Sequence, residues 1–228
     1  MKFSKEINQV VFDLDHTLWD FNKNSKTALT QIYADLNLNQ YLPSFDLFYR
    51  NYIEVNDELW AKYRKGLVQK DYLRSARFLE SFKHFDFEDN EVATKMGDEY
   101  VRISPHQTNL LPNTLEILSY LSKKYPLHIL TNGFQEIQNI KLTKSGLLPF
   151  FETITCSEEI GVNKPNVEIF RHVESKIEAK EGEIVMIGDN LEADIDGALN
   201  AGWEAIYFGE NQAHKHSVND LIQIKEIL

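Results

Sequence analysis

The chain has 228 residues, 43% hydrophobic and 26% charged, the proportions of an ordinary globular protein with room for one large domain or a core with an inserted smaller one. A formal charge of −11 argues against a nucleic-acid surface and leaves an anionic small molecule as a partner only where a metal and a few cations reverse the field locally. No apolar run reaches the roughly 18 residues of a membrane span, and Cys156, as the single cysteine, excludes an intrachain disulfide; with no apolar signal region in residues 1–6, which are read as running straight into the first strand, the expected location is cytoplasmic.

The first apolar run, Val10-Val11-Phe12-Asp13-Leu14-Asp15-His16-Thr17-Leu18, reads as a buried strand that ends in two carboxylates. Residues 22–104 then read as almost wholly helical. Asn24-Ser25 offers an N-cap before a first helix. Apolar residues from Phe45 to Tyr63 recur at helical spacing and stop at Gly66. A third helix is expected around Leu73 to Phe82, and a fourth around Val92 to Ile103, closed by Ser104-Pro105. From residue 110 helices and strands alternate. A helix over 111–124 precedes a strand over 127–131, a helix over 135–146, a short strand over 152–155 and a helix over 166–177. A strand over 183–187, a helix over 190–201, a fifth strand over 204–208 and a closing helix over 218–227 complete the pattern.

Apolar strands alternating with amphipathic helices predict an α/β fold with a doubly wound parallel sheet. The first strand belongs to that sheet. The expected organisation is therefore a Rossmann-like core over 1–19 and 109–228, with an α-helical cap inserted over 20–108. A cap at that point would cover the strand ends where doubly wound sheets bind ligands.

Two carboxylates one residue apart repel and raise each other's pKa. They are tolerated where a positive charge sits between them, or where one must carry a proton. Both conditions suit magnesium-dependent phosphoryl transfer to an aspartate nucleophile. Three further points of punctuation fall beyond strand ends or in loops: Thr131-Asn132-Gly133, Lys164-Pro165 and Gly188-Asp189-x-x-x-x-Asp194. Taken singly, each has a bland reading as a solvated turn or a helix start, with Pro165 at the first helical position. Converging on one crevice, they supply a nucleophile, a proton carrier, a metal cradle, phosphate donors and a fixed cation.

With these four motifs in this order, the chain resembles the haloacid dehalogenase superfamily in its phosphatase branch, among members with a helical cap after the first motif. The resemblance implies Asp13 as the nucleophile that becomes an aspartyl-phosphate. Asp15 would be the general acid–base, its backbone carbonyl a metal ligand. Thr131 would donate a hydroxyl to the phosphoryl group, Asn132 and Gly133 would offer backbone N–H groups, and Lys164 would neutralise nucleophile and phosphate. Magnesium would be held by Asp13, Asp15 and Asp189, with Asp194 holding its waters or Lys164. Asp15 disfavours a dehalogenase, in which that residue is absent, and a silent binding module would have lost one of Asp13, Asp15, Lys164 or Asp189. His16 stands where the family often has glycine. Asp196 is read as structural and Cys156 as a buried filler. Residues 131–147 and 157–166 resemble the pyrimidine 5′-nucleotidases of this family, which implies hydrolysis of nucleoside monophosphates. Trp60 and Arg77 in the cap suit a planar base next to a phosphate, against a reading as bundle core with a basic edge. The alternatives are a sugar-phosphate or phosphoglycolate phosphatase and, behind them, a phosphomutase. Oligomeric state is not readable.

Overall fold

The computed structural model describes residues 3, 6–180, 182–210 and 214–228. The reading of the opening segment concerns residues 1, 2, 4 and 5, which lie outside this set. The chain divides into two compact units, Met1–Phe21 with Thr108–Leu228, and Asn22–Gln107.

The first unit is built on six parallel strands: β1 (Gln9–Phe12), β2 (Leu127–Thr131), β3 (Thr153–Cys156), β4 (Ile184–Gly188), β5 (Glu204–Phe208) and β6 (Ser217–Val218), in the order β3-β2-β1-β4-β5-β6. β1, β2 and β4 carry near-continuous apolar runs because both faces of the sheet are covered. Alternate residues supply two separate cores. Val10, Phe12, Ile129, Val185 and Ile187 belong to one, and Val11, Leu130, Ile184 and Met186 to the other. With β1 central, the chain leaves and re-enters beside the sheet's midline, where the strand order reverses.

The second unit holds most of α1 (Phe21–Asp35), with α2 (Phe45–Arg64), α3 (Lys70–Lys83) and α4 (Asn90–Ile103). Its core is aromatic, with Phe48, Tyr52, Phe78 and Phe82 fully buried among Leu29, Ile32 and Met96. α4 starts where Asp89 accepts hydrogen bonds from the N–H groups of Glu91 and Val92. Ser104-Pro105 forms a single 3₁₀ turn after it.

Several elements differ from the sequence reading. α1 begins at Phe21, so Asn24 and Ser25 are not a cap but buried positions inside the helix, where Ser25 Oγ accepts from the Tyr100 hydroxyl at 3.1 Å. The helices α5 (Thr114–Leu121), α6 (Gln135–Lys144) and α7 (Val167–Lys176) are shorter than expected. Pro165 is not the first helical residue, because Asn166 caps α7 through the Glu168 N–H. The expected helix over 190–201 is a π-helical segment, Leu191–Asp196, followed by the short α8 (Gly197–Asn200). No α-helix closes the chain. Ser217–Val218 pairs with β5, and a 3₁₀ helix, Leu221–Glu226, follows, capped by Asp220.

One polar residue is threaded through this sheet. His128 sits buried on β2 with Nε2 2.9 Å from Gln9 Oε1 and Nδ1 2.9 Å from Thr153 Oγ1. An amide oxygen only accepts, so Nε2 carries the hydrogen and Nδ1 accepts from the threonine hydroxyl. Burial pushes the pKa of the ring down to about 4. A depressed histidine favours the fold above its unfolded pKa of about 6.5, and that contribution is lost as pH falls toward 4. Buried carboxylates with raised pKa values act in the opposite sense, so the difference between two proteins is the readout. Urea unfolding of wild type and His128→Gln between pH 7 and 4 should show the wild type losing more stability than the variant on acidification; parallel curves would show that the ring does not titrate there.

Candidate active site

β1 ends at Phe12, but the ladder continues one residue, because the Asp13 N–H donates to Ile187 O at 2.9 Å. The chain then hooks back on itself. Leu18 and Trp19 both donate to Leu14 O at 2.9 Å, and the His16 N–H donates to Trp19 O at 3.0 Å. His16 turns the corner at φ 64°, in the left-handed region that favours glycine but which histidine enters more readily than most residues. Its ring lies 4.6 Å from that of Phe21. The histidine is thus a turn residue of this loop. The hook leaves the Asp13 side chain nearly buried and that of Asp15 23% exposed.

Lys164 reaches Asp13 from the loop that follows β3. Its Nζ donates to Asp13 Oδ1 at 2.7 Å and to Leu130 O at 2.7 Å, and lies 2.6 Å from Asp194 Oδ1. Two of the ammonium's hydrogens thus go to Asp13 and Leu130, and the Asp194 carboxylate lies against the same charge as an ion pair. The lysine backbone is gripped as well. Its N–H donates to Asn132 Oδ1 at 2.8 Å, and Asn132 Nδ2 donates to its carbonyl at 3.0 Å. The asparagine, expected to serve through its backbone, thus also clamps the lysine with its side chain.

Asp194 arrives through the wide turn after β4. Asn190 caps this turn by accepting from Ala193 N–H at 2.9 Å, and Asn190 N–H donates to Asp194 Oδ2 at 3.0 Å. Gly188 makes this approach possible, since a Cβ there would collide with the Asp194 carboxylate. Asp189 stands at the strand end, where its Oδ1 accepts from Thr17 Oγ1 at 3.2 Å. Oxygens of Asp13, Asp189 and Asp194 lie within 4.8 Å of one another.

Burial is the first cause that raises the proton affinity of Asp13, to about 7, with Lys164 opposing and Asp194 and Asp15 adding to the rise. Burial, then Asp13 and Asp194, push Asp189 well above the usual carboxylate range. For Lys164, burial works against the charge, and Asp13 with Asp194 more than reverses it, so the ammonium is held above its ordinary pKa. Carboxylates that would rather hold protons form a site that attracts a further cation. The donors are hard carboxylate oxygens, only three in number, which fits magnesium with its retained waters. When ionised, Asp13, Asp15, Asp189 and Asp194 against Lys141 and Lys164 leave two negative charges, the amount one such ion carries.

Thr131 ends β2. Its Oγ1 accepts from the Gly133 N–H at 3.1 Å and from Gln138 Nε2 at 2.9 Å, which leaves its own hydrogen to be donated. Gly133 N–H, expected to face a phosphate, is given to this hydroxyl. Asp15 accepts from Lys141 Nζ at 2.6 Å on one oxygen and from Gln138 Nε2 at 2.8 Å on the other. Trp60 and Arg77 lie in the helical unit. The Trp60 ring packs edge-on against Tyr63, 5.5 Å away. Arg77 is buried, 4.7 Å from the Tyr100 ring, with Nη1 donating to Asn56 Oδ1 at 3.4 Å. Asp196 is exposed and Cys156 buried, with its thiol pushed up to about 12 by burial. The contacts that sequence reasoning missed are those of Gln138, Lys141 and Thr17. Gln138 and Lys141 are three apart on α6 and so share a face, a spacing visible in the sequence but common on solvated helices.

Fold and site together define a doubly wound α/β hydrolase with an acidic, lysine-neutralised centre at the strand ends. The chain belongs to the haloacid dehalogenase-like hydrolases, whose sequence model matches residues 7–202. It is similar to the pyrimidine 5′-nucleotidase PynA of Streptococcus pneumoniae, 30% identical over 91% of this chain and 86% of that one. It is also similar to the pyrimidine 5′-nucleotidase YjjG of Escherichia coli, 27% identical over 96% of both chains. The magnesium-bound crystal structure of the HAD-hydrolase YfnB from Bacillus subtilis superposes with a TM-score of 0.89 at 27% identity, covering 97% of this chain and 98% of that one.

Removing the central ammonium leaves carboxylates buried without their partner. Lys164→Met should destabilise the fold by about 3–5 kcal/mol at pH 8. The loss should shrink toward pH 6, as Asp13 and Asp189 take up protons; denaturant midpoints at the two values check this, and a loss that does not change with pH would mean the acids do not depend on Lys164.

Proposed function

We propose that the chain is a magnesium-dependent phosphatase that hydrolyses nucleoside 5′-monophosphates, pyrimidine nucleotides first among them, through an aspartyl-phosphate on Asp13. The observation that carries the reading is the buried contact of Lys164 with Asp13 at 2.7 Å, beside Asp189 and Asp194. PynA and YjjG, both pyrimidine 5′-nucleotidases, support the substrate class.

In this mechanism Asp13 attacks phosphorus in line with the departing alcohol. Lys164 offsets the charge that gathers on the nucleophile and the phosphoryl oxygens. Thr131 donates its remaining hydrogen to a phosphoryl oxygen. Asp15 gives a proton to the leaving oxygen and later takes one from the water that opens the anhydride. Magnesium would be held by Asp13, Asp189 and the Asp15 carbonyl with Asp194 close by, and when bound it supplies charge neutralisation and orientation of the phosphate. The helical unit over 22–107 acts as the cap that selects the substrate, with Trp60 and Arg77 as candidate contacts. The expected compartment is the cytoplasm.

A panel of monoesters with magnesium tests the substrate class. UMP, dUMP and dTMP should turn over faster than glyceraldehyde 3-phosphate and phosphoglycolate, and EDTA should stop all turnover until magnesium is returned. Sugar phosphates turned over as fast would favour the sugar-phosphatase alternative, and indifference to chelation would remove the metal. Asp13→Asn keeps the shape of the side chain and removes its nucleophilic charge, so turnover should fall by at least about a thousandfold with the thermal midpoint little changed. Residual activity near wild type would show that another group attacks.

A further inference from the structure

The geometry points to Lys141, with Gln138 beside it, as a positioning residue for proton transfer by Asp15, an inference that rests on the phosphatase reading above. Lys141 is 4% exposed. Lysine is seldom buried so completely without a partner. Its ammonium is enclosed by Asp15 Oδ1 at 2.6 Å and by the faces of Trp19 and Phe21, 4.3 and 5.9 Å from the ring centroids. Gln138, one turn earlier on the same face of α6, donates to the other oxygen of Asp15 and to Thr131 Oγ1. The glutamine amide fits because residue 133 has no Cβ, which would otherwise occupy its place.

Two donors on two oxygens fix the plane of a carboxylate. The backbone of Asp15 is fixed separately, by its bridge to Trp19, whose ring also carries the ammonium. Loop and helix thus hold the same acid from two sides. A half-buried ion pair adds little stability that apolar packing would not also supply, so packing alone does not explain why a lysine stands here.

The proton step does explain it. As the bond from an Asp13 oxygen to phosphorus forms, the bond from phosphorus to the alcohol oxygen breaks and its electron pair stays on that oxygen. The proton of Asp15 moves there, leaving a carboxylate on residue 15. Lys141 lies against that developing charge and compensates it, while Gln138 keeps the acid aimed as the charge changes.

A general acid matters most when the leaving group is a poor one. An alkoxide from a nucleotide needs the proton, whereas nitrophenolate leaves without it. The ratio kcat/KM covers every step through departure of the alcohol and excludes later hydrolysis of the aspartyl-phosphate. Lys141→Met should lower kcat/KM for UMP by about 10–100-fold and that for p-nitrophenyl phosphate by no more than about threefold. Lys141→Gln keeps a donor without charge, should fall between wild type and Lys141→Met on UMP, and takes over the test should the methionine variant fail to fold by circular dichroism. Equal losses on both substrates, or none on UMP, would overturn the positioning role alone. A wild-type protein inert on both would overturn the phosphatase reading, and this role with it.

Discussion

A single buried ammonium holds this site together. Removing a lysine head from water costs several kcal/mol, and bringing acidic side chains into the same region costs more. Neither is tolerable separately. Together, Lys164 and its three oxygen partners cancel most of each other's penalty, and the surroundings are arranged to keep that contact in place. Asn132 grips the lysine backbone at both its N–H and its carbonyl. The carbonyl of Leu130 accepts one of its hydrogens from within β2, so the position of the ammonium is referred to the sheet itself.

The parallel sheet makes such a convergence possible, because every strand delivers its C-terminal end to the same edge. The hook after β1, the turn after β2, the loop after β3 and the π-turn after β4 each bring polar groups to the ends of four adjacent strands. Close approach is then decided by what is missing. Gly188 lets the Asp194 carboxylate lie against the backbone, and Gly133 does the same for the Gln138 amide. A methyl group at either position would push a functional side chain away while leaving the fold recognisable.

Much of this was legible from residue order. β1, β2 and β4 announce themselves as apolar runs, and the residues 13, 164, 189 and 194 follow strand ends in the order a doubly wound sheet would bring together. Local chemistry was read less well. The β6 strand is only 2 residues long, too short to show alternation, and its apolar residues merge with those of the 3₁₀ helix into a false helical period. Asn24 and Ser25 are good caps by composition, but tertiary packing buries them inside α1. The π-turn has no signature, because its extra residue depends on Asn190 and Asp194 meeting. Gln138 and Lys141 were hidden for a related reason. Which face of α6 is buried depends on neighbours that a helix's own sequence does not name.

The two aspartates of the first motif end in opposite surroundings, and this difference separates their work. Asp15 is partly open and faces a lysine and an amide that serve it alone or nearly so. Asp13 is buried beside an ammonium that Asp194 also claims. Burial raises the proton affinity of Asp13 against the pull of Lys164, and a protonated carboxyl does not attack phosphorus. On the proposed mechanism, a second positive charge among Asp13, Asp189 and Asp194 would hold Asp13 ionised, and the oxygen set there is of the kind magnesium prefers. A chain of formal charge −11 thus sets two buried lysines, Lys141 and Lys164, where its strands end, which is the local reversal of field that the proposed anionic substrate needs.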